Sequence, residues 1–585
     1  IRAVVAKAMR HPRLNYFHRL EEMLHDPNLR VRANAAESLG WLKHRKAIPE
    51  LIDLLKRNAD QDATVRNAAV YALVRIGDTD ALLAAAKDSS ASVRLGACLA
   101  LRRLMHPGLA QFLDDPDPRI VLEAARAIAD LPIEPALPQL AALLDPSRRR
   151  RQESRTNPPD ARAQTPDPSQ RLLTSSPTEG FVLRRALNAH FRLGQPTNAL
   201  ALAAFASRME VPEALRVEAL EMLADWPQPS SRDRITGLWR PLLAREAKPA
   251  ADAFRPAATA LLAANGTAIP VAALATMEKL TLTDLAPSLH ALVKSATAPA
   301  EVRAAALRTL HHSSFIPHTS SLAAEALKLA LTDAAEALRK EASRLSAASG
   351  GTDAIARLAT TLQTGTLGER QSALQSLAGL KGKEADDALR KALTQLLEGK
   401  LAKELHLDVL EAAAKRTSPS IKERLAQFEA KRDAKDPLAK WRECLTGGDA
   451  KAGKILFHER QEAACARCHK LAGEGGDVGP DLAGLVAKKG RDYVLESIVL
   501  PNRVIAPGFE SLLVVMKNGQ SFAGLVKGEI GDELTLNSPE DGILKLKKSD
   551  IAKRTPALSP MPESLIEVLT KREIRDLVEF LATAK

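Results

Sequence analysis

A short frame of acidic, capping and small apolar residues returns along the first three quarters of this chain, and it leaves few folds open. Asp26-Pro27-Asn28-Leu29-Arg30-Val31-Arg32-Ala33-Asn34-Ala35-Ala36 opens one copy, which runs on to Leu39. The frame returns as Asp62…Val65-Arg66-Asn67-Ala68-Ala69…Leu73, as Asp88…Val93-Arg94…Ala97…Leu101, and as Asp115-Pro116…Ile120…Ala124-Ala125…Ile128. The steps from Val31 through Val65 and Val93 to Ile120 are 34, 28 and 27 residues. Weaker copies follow near Val217, Val302 and Leu338. Asp-Pro or Asp-Ser reads as a helix start, with proline fixing the first-turn φ. Val, Ala and Leu at i, i+3 and i+4 supply one apolar stripe. A two-helix unit of this size cannot bury that stripe alone, so neighbours must stack.

This pattern resembles the HEAT or HEAT-like repeat family over residues 1–430. The resemblance implies an α-solenoid that binds a protein partner and names no chemistry. Aromatic content of 3%, with Ala and Leu dominating the apolar set, also favours helix over sheet. The chain opens at Ile1 in what reads as the end of a helix, so it is expected to be a processed or excised piece. No apolar run approaches the ~20 residues of a membrane span, and no transmembrane segment is expected.

The net charge of +12 raises the question of nucleic acid. Residues 441–585 carry 21 Lys+Arg and 21 Asp+Glu, so the excess lies upstream. The Pro- and Ser-rich stretch Ser147–Thr178 holds seven Arg against Glu153, Asp160 and Asp167. It reads as a disordered, solvated basic loop, with an anionic partner or surface as the sharper alternative. No specific nucleic-acid partner is expected.

The repeat frame stops around residues 431–440, read as a linker, and residues 441–585 form a separate domain. Gly448–Phe457, Asp492–Leu500 and Thr570–Ala582 read as helices. Ser511–Ile551 reads as a small β-insertion, with Leu513/Val515 and Phe522/Leu525 flanking the hairpin signal Asn518-Gly519. The whole chain is therefore expected to be mainly α.

Cys465-Ala466-Arg467-Cys468-His469 carries the chemistry. Two thiols three residues apart followed by His are the attachment signature of c-type haem, one per chain: both thiols reach the vinyl groups and the imidazole meets the iron. Zinc would need two further ligands, and no second Cys pair or close His pair supplies them. Dithiol redox chemistry would want a strand-to-helix setting. The other two cysteines, Cys98 and Cys444, read as structural.

The surrounding residues resemble a class I cytochrome c, and more closely the haem-binding domain of large multidomain proteins from Planctomycetes and relatives. The matching residues are Gly447-Gly448-Asp449-Ala450…Gly453…Phe457, Gly479-Pro480-Asp481-Leu482, Tyr493…Glu496-Ser497-Ile498…Pro501-Asn502, Ile505-Ala506-Pro507-Gly508-Phe509-Glu510 and Met561-Pro562-Glu563. The resemblance implies that His469 is the proximal ligand and that the Pro480 carbonyl accepts its N–H, with Leu482 beside the haem. It implies a close crossing of the first and last helices at Gly453, with Phe457 near Leu577 and Phe580. Met561, in Ser559-Pro560-Met561-Pro562, is the expected sixth ligand; Met516 and His458 stay open as competitors.

The function expected is electron transfer through a His/Met-ligated haem c tethered to a helical-repeat arm, with a redox protein as partner and no catalysis in this chain itself. In the resembling family a sugar- or alcohol-dehydrogenase propeller accompanies these parts, so the chain is alternatively the electron-accepting portion of such an enzyme. A repeat scaffold with a sensory haem is the other alternative. Haem c is attached outside the cytoplasm, which implies a periplasmic or otherwise exported location.

Overall fold

A computed structural model describes residues 1–10, 16–145, 177–312, 315–348, 352–460, 462–476, 478–538 and 541–584. Residues 147–176 of the basic segment lie outside the described residues; the next helix begins at Pro177. The chain divides into two compact units, Ile1–Ala326 and Leu327–Lys585.

The first unit is a stack of helix pairs. Its four strongest repeat copies form the helices Leu29–Trp41, Ala63–Ile76, Ala91–Arg103 and Pro118–Asp130. Val31, Val65, Val93 and Ile120 are all buried, as are Leu39, Leu73, Leu101 and Ile128 at the other end of each stripe. Burying one such side chain contributes about 1.5–3 kcal/mol relative to exposure.

The caps differ from the simple expectation. Asp62 caps its helix directly, accepting from Val65 N at 2.8 Å. In the first copy Asn28 is the cap, and Asp26 instead accepts from Asn28 N at 2.9 Å. Asp115 likewise accepts from the N–H of the true cap, Asp117, at 2.8 Å. The leading acid is free to do this because the turn before the helix is one residue pair longer than a minimal cap requires. Asp115 also takes Arg94 from the preceding copy at 2.8 Å, with both side chains nearly buried.

The second unit opens with the later helix pairs, ending in His406–Ala414 and Pro419–Ala430. Beyond them lie the helices Ala450–Glu459, Leu485–Lys489, Arg491–Val499 and Lys571–Thr583. Their core joins Phe457, Leu482, Leu495, Ile498, Ile574, Leu577 and Leu581, and it includes Leu407 from the last repeats. The first and last of these helices cross at Gly453, where a Cβ would stand 2.0 Å from Asp576 O. The Phe457 and Phe580 rings meet beside that crossing, 5.7 Å apart.

A two-residue hairpin, β1 (Lys470–Leu471) and β2 (Glu474–Gly475), follows the cysteine motif. The insertion is a five-stranded antiparallel sheet of β3 (Ser511–Met516), β4 (Ser521–Ile530), β5 (Glu533–Ser538), β6 (Gly542–Lys547) and β7 (Ile551–Pro556), in the order β6-β5-β4-β3-β7. It extends past Ile551 because β7 returns to pair with β3, Leu512 opposite Pro556. Val514, Leu534 and Leu536 form its buried face, while Leu513 is 40% exposed.

Candidate haem site

Cys465–Cys468 forms a single helical turn entered through Ala464 at φ +46. His469 N closes that turn on Cys465 O at 3.0 Å, and Gly479 N returns to Cys468 O at 2.7 Å. This fold-back lays the backbone of Gly479 against the imidazole: a Cβ there would stand 2.6 Å from His469 Cε1. It also brings Pro480 O to 2.9 Å from His469 Nδ1. A carbonyl only accepts, so Nδ1 carries the proton and Nε2 is left as the basic nitrogen. Burial holds the imidazole below its ordinary pKa, against the opposing pull of the Pro480 carbonyl. The ring is therefore neutral near pH 7, the form that ligates a metal.

Cys465, Cys468, His469, Pro480, Leu482 and Met561 all line one crevice. Its other walls are mainly apolar and include Phe457, Tyr493, Ile498, Phe509, Leu577 and Leu581. Phe509 and Ser559, at the two roots of the β-insertion, both face it, and Ala557 N donates to Ser511 O at 2.8 Å to close the insertion off. Burial pushes the Cys465 thiol up to about 11. That keeps it protonated and a poor partner for disulfide exchange.

The competitors fall elsewhere. Met516 packs with the β-sheet core. His458 is exposed, edge-on to the Phe457 ring at 5.1 Å, and does not line the crevice. Cys444 and Cys98 are buried in hydrophobic cores. Among the described residues, the only trio of potential metal ligands close enough to share an ion is His25, Glu50 and Asp53, in the repeats.

Asn502 Nδ2 donates to Glu563 Oε1 at 2.6 Å, and its Oδ1 accepts from Ser559 N at 2.7 Å. Asn502 thus holds both flanks of Ser559-Pro560-Met561-Pro562-Glu563. The signal for it was its place after Pro501, where a side-chain amide can reach a neighbouring loop.

A c-type haem fits this crevice. The donor set pairs one neutral imidazole of fixed tautomer with one thioether on an apolar lining, beside two thiols at attachment spacing.

Comparison with known proteins finds two families along the chain. Residues 18–82 and 79–157 match the family model of HEAT repeats, and residues 450–532 match that of cytochrome c. A cytochrome c from Cochliobolus lunatus is 54% identical over 43 residues, 7% of this chain and 36% of the relative. One from Arabidopsis thaliana is 54% identical over 43 residues, 7% of this chain and 35% of its own. The chain thus spans about a third of the length of the curated relatives it matches. Among solved structures, importin beta aligns with 79% of this chain and 66% of its own at 12% identity, with a TM-score of 0.33. No helix among the described residues is long and apolar enough to cross a membrane. The chain carries HEAT repeats followed by a C-terminal cytochrome c domain.

Proposed function

We propose that this chain is an electron carrier: a single c-type haem, held by Cys465 and Cys468 and ligated by His469 and Met561, on a repeat arm that recruits a protein partner. The observation that carries this reading is the convergence of two thiols, an oriented imidazole and a thioether on one apolar crevice. When bound, haem c supplies a one-electron ferric/ferrous couple. The protein's part is to hold and tune it. Pro480 O fixes the His469 ring and raises its basicity. Asn502, just past the helix Arg491–Val499, holds both flanks of the Met561 loop. With His469 and Met561 both supplied by the chain, the bound group would offer no position to a substrate, so the role is transfer to a redox protein. The apolar walls exclude water, which favours the less charged reduced form.

Such attachment takes place outside the cytoplasm, so an exported location belongs to this reading. The test is expression with haem-c maturation machinery, followed by a pyridine haemochrome spectrum of the denatured protein. A c-type band that persists through denaturing electrophoresis and vanishes in Cys465→Ala/Cys468→Ala is expected. Absence of that band in the unaltered protein overturns the proposal.

A further inference from the structure

Asp408 sits in the last helix pair of the arm and is fully buried, yet its carboxylate faces the C-terminal domain. Arg575 Nη1 donates to Oδ2 at 2.7 Å, and Arg575 is itself only 5% exposed. Arg572 Nη1 lies 2.9 Å from Oδ1, off the line of a hydrogen bond, while its Nε donates to Glu411. Asp408 and Glu411 are one turn apart on their helix, as are Arg572 and Arg575 on the terminal helix. Two acids on one face therefore meet two bases on the other.

Three more contacts join the same surfaces. Leu407 belongs to the same apolar core as Ile574 and Val578 of the terminal helix. Buried Glu443 accepts from Lys571 Nζ and from Arg432 Nη2, each at 2.9 Å. Gly447, at φ +82, lays its backbone on that of Glu404, where a Cβ would meet Glu404 O at 2.5 Å; Gln371 Nε2 donates to Gly447 O at 2.8 Å.

The opposite face of the terminal helix belongs to the crevice, since Leu577 and Leu581 line it. The start of that helix, capped by Thr570 with Glu573, directly follows the Met561 loop and the short turn Leu565–Val568. We infer that Asp408 is a positioning residue for the haem crevice: through Arg572 and Arg575 the arm clamps the terminal helix from outside and so fixes the Met561 side of the site. The inference rests on the Met561 ligation proposed above. It makes the last repeat part of the electron-transfer unit. Removing one member of a buried ion pair leaves an uncompensated charge, so the clamp is sensitive to single substitutions.

The test uses the full-length haem-loaded protein and four variants, the fourth being Met561→Ala as the ligation control. Asp408→Asn keeps the shape and removes the charge; Arg572→Gln is a milder change at a partly exposed partner. Ile421→Val is a conservative loss in the core of the same repeats and serves as the control. Two readouts are taken: hydrogen exchange of residues 571–583, and the rate at which CO enters the ferrous protein, which requires the thioether to leave. Asp408→Asn should accelerate both by roughly tenfold or more. Arg572→Gln should move both in the same direction by less, and Ile421→Val should move neither. Both clamp variants staying within about twofold of wild type in both readouts overturns the inference. Faster exchange with an unchanged CO rate also overturns it, because the clamp would then stabilise without positioning. If wild type and Met561→Ala bind CO equally fast, the ligand assignment fails instead. Hydrogen exchange then still decides whether Asp408 holds the helix.

Discussion

The side-chain amide of Asn502 donates to Glu563 Oε1 at 2.6 Å, tying the end of one helix to the far flank of the Met561 loop. Its carbonyl oxygen takes the near flank through Ser559 N. One residue therefore sets the height of a loop whose two prolines already restrict its backbone. Asn502→Ala leaves both loop groups partly solvated, so the stability cost should be modest, about 1 kcal/mol. The effect on ligation should be larger than that cost suggests: faster CO entry and a weaker thioether-to-ferric near-infrared band. Asn502→Ala with an unchanged band and CO rate would show that the prolines alone hold the loop.

Gly479 is a position where backbone geometry reaches His469, the proposed iron ligand. A methyl group there would stand 2.8 Å from His469 Nδ1, so the ring must swing away from the Pro480 carbonyl. Gly479→Ala should destabilise the domain by about 1–3 kcal/mol, as overpacking does. A weaker hydrogen bond makes the imidazole less basic, and ferric iron loses more from that than ferrous. The reduction potential should therefore rise. Redox titration checks the sign, and a fall would rule out this account of the Pro480 contact.

One buried and one half-buried carboxyl give the C-terminal domain opposite responses to pH. Burial raises Glu443, but Arg432 and Lys571 outweigh it and hold the group below its usual 4.5. Its stabilisation is present above the unfolded value and is lost as pH falls through the depressed folded value. Asp576 is raised, chiefly by burial, despite accepting from Asp449 N. Its contribution is full below its usual 3.8 and is lost as pH rises through the elevated folded value. Urea unfolding between pH 3 and pH 7 should then show a shallower acid-side loss in Glu443→Gln than in wild type. Asp576→Asn should remove the decline on the upper side of the carboxyl range. Parallel curves for all three proteins would contradict both assignments.

What could be read from the sequence was what is local or periodic. The repeats announce themselves because the same burial requirement recurs every thirty residues or so, and Val31, Val65, Val93 and Ile120 are buried in one frame. Cys465, Cys468, His469 and Pro480 lie within sixteen residues of one another, so one fold-back suffices to assemble them. Contacts between distant segments carry no such signal. Asp408 and Arg575 are 167 residues apart, and each reads alone as an ordinary charge on a helix face. The return of β7 to β3 is equally silent, since strand alternation fixes neither partner nor register across a long connection. The caps fell between these cases: acid-Pro signalled a helix start, but Asn28 competed for the same N–H groups and took them.

On the ligation proposed above, Met561 decides whether the iron carries electrons or binds small ligands. Its side chain lines the crevice and packs against the haem-domain core, and its N–H donates to Ser559 Oγ at 3.2 Å. Pro560 and Pro562 lower the entropy cost of holding a flexible thioether in place. The terminal helix, which begins shortly after the loop, packs against Ala450–Glu459. Met561→Ala should open the sixth position to water or CO, abolish the near-infrared band and lower the reduction potential. His469 and both thioether links should stay in place, leaving the pyridine haemochrome unchanged. Met561→His should keep six-coordination and still lower the potential, because imidazole favours ferric iron more than a thioether does. If Met561→Ala leaves band and potential as in wild type, the thioether comes from elsewhere. Met516, held in the sheet core, would then have to leave it to reach the iron.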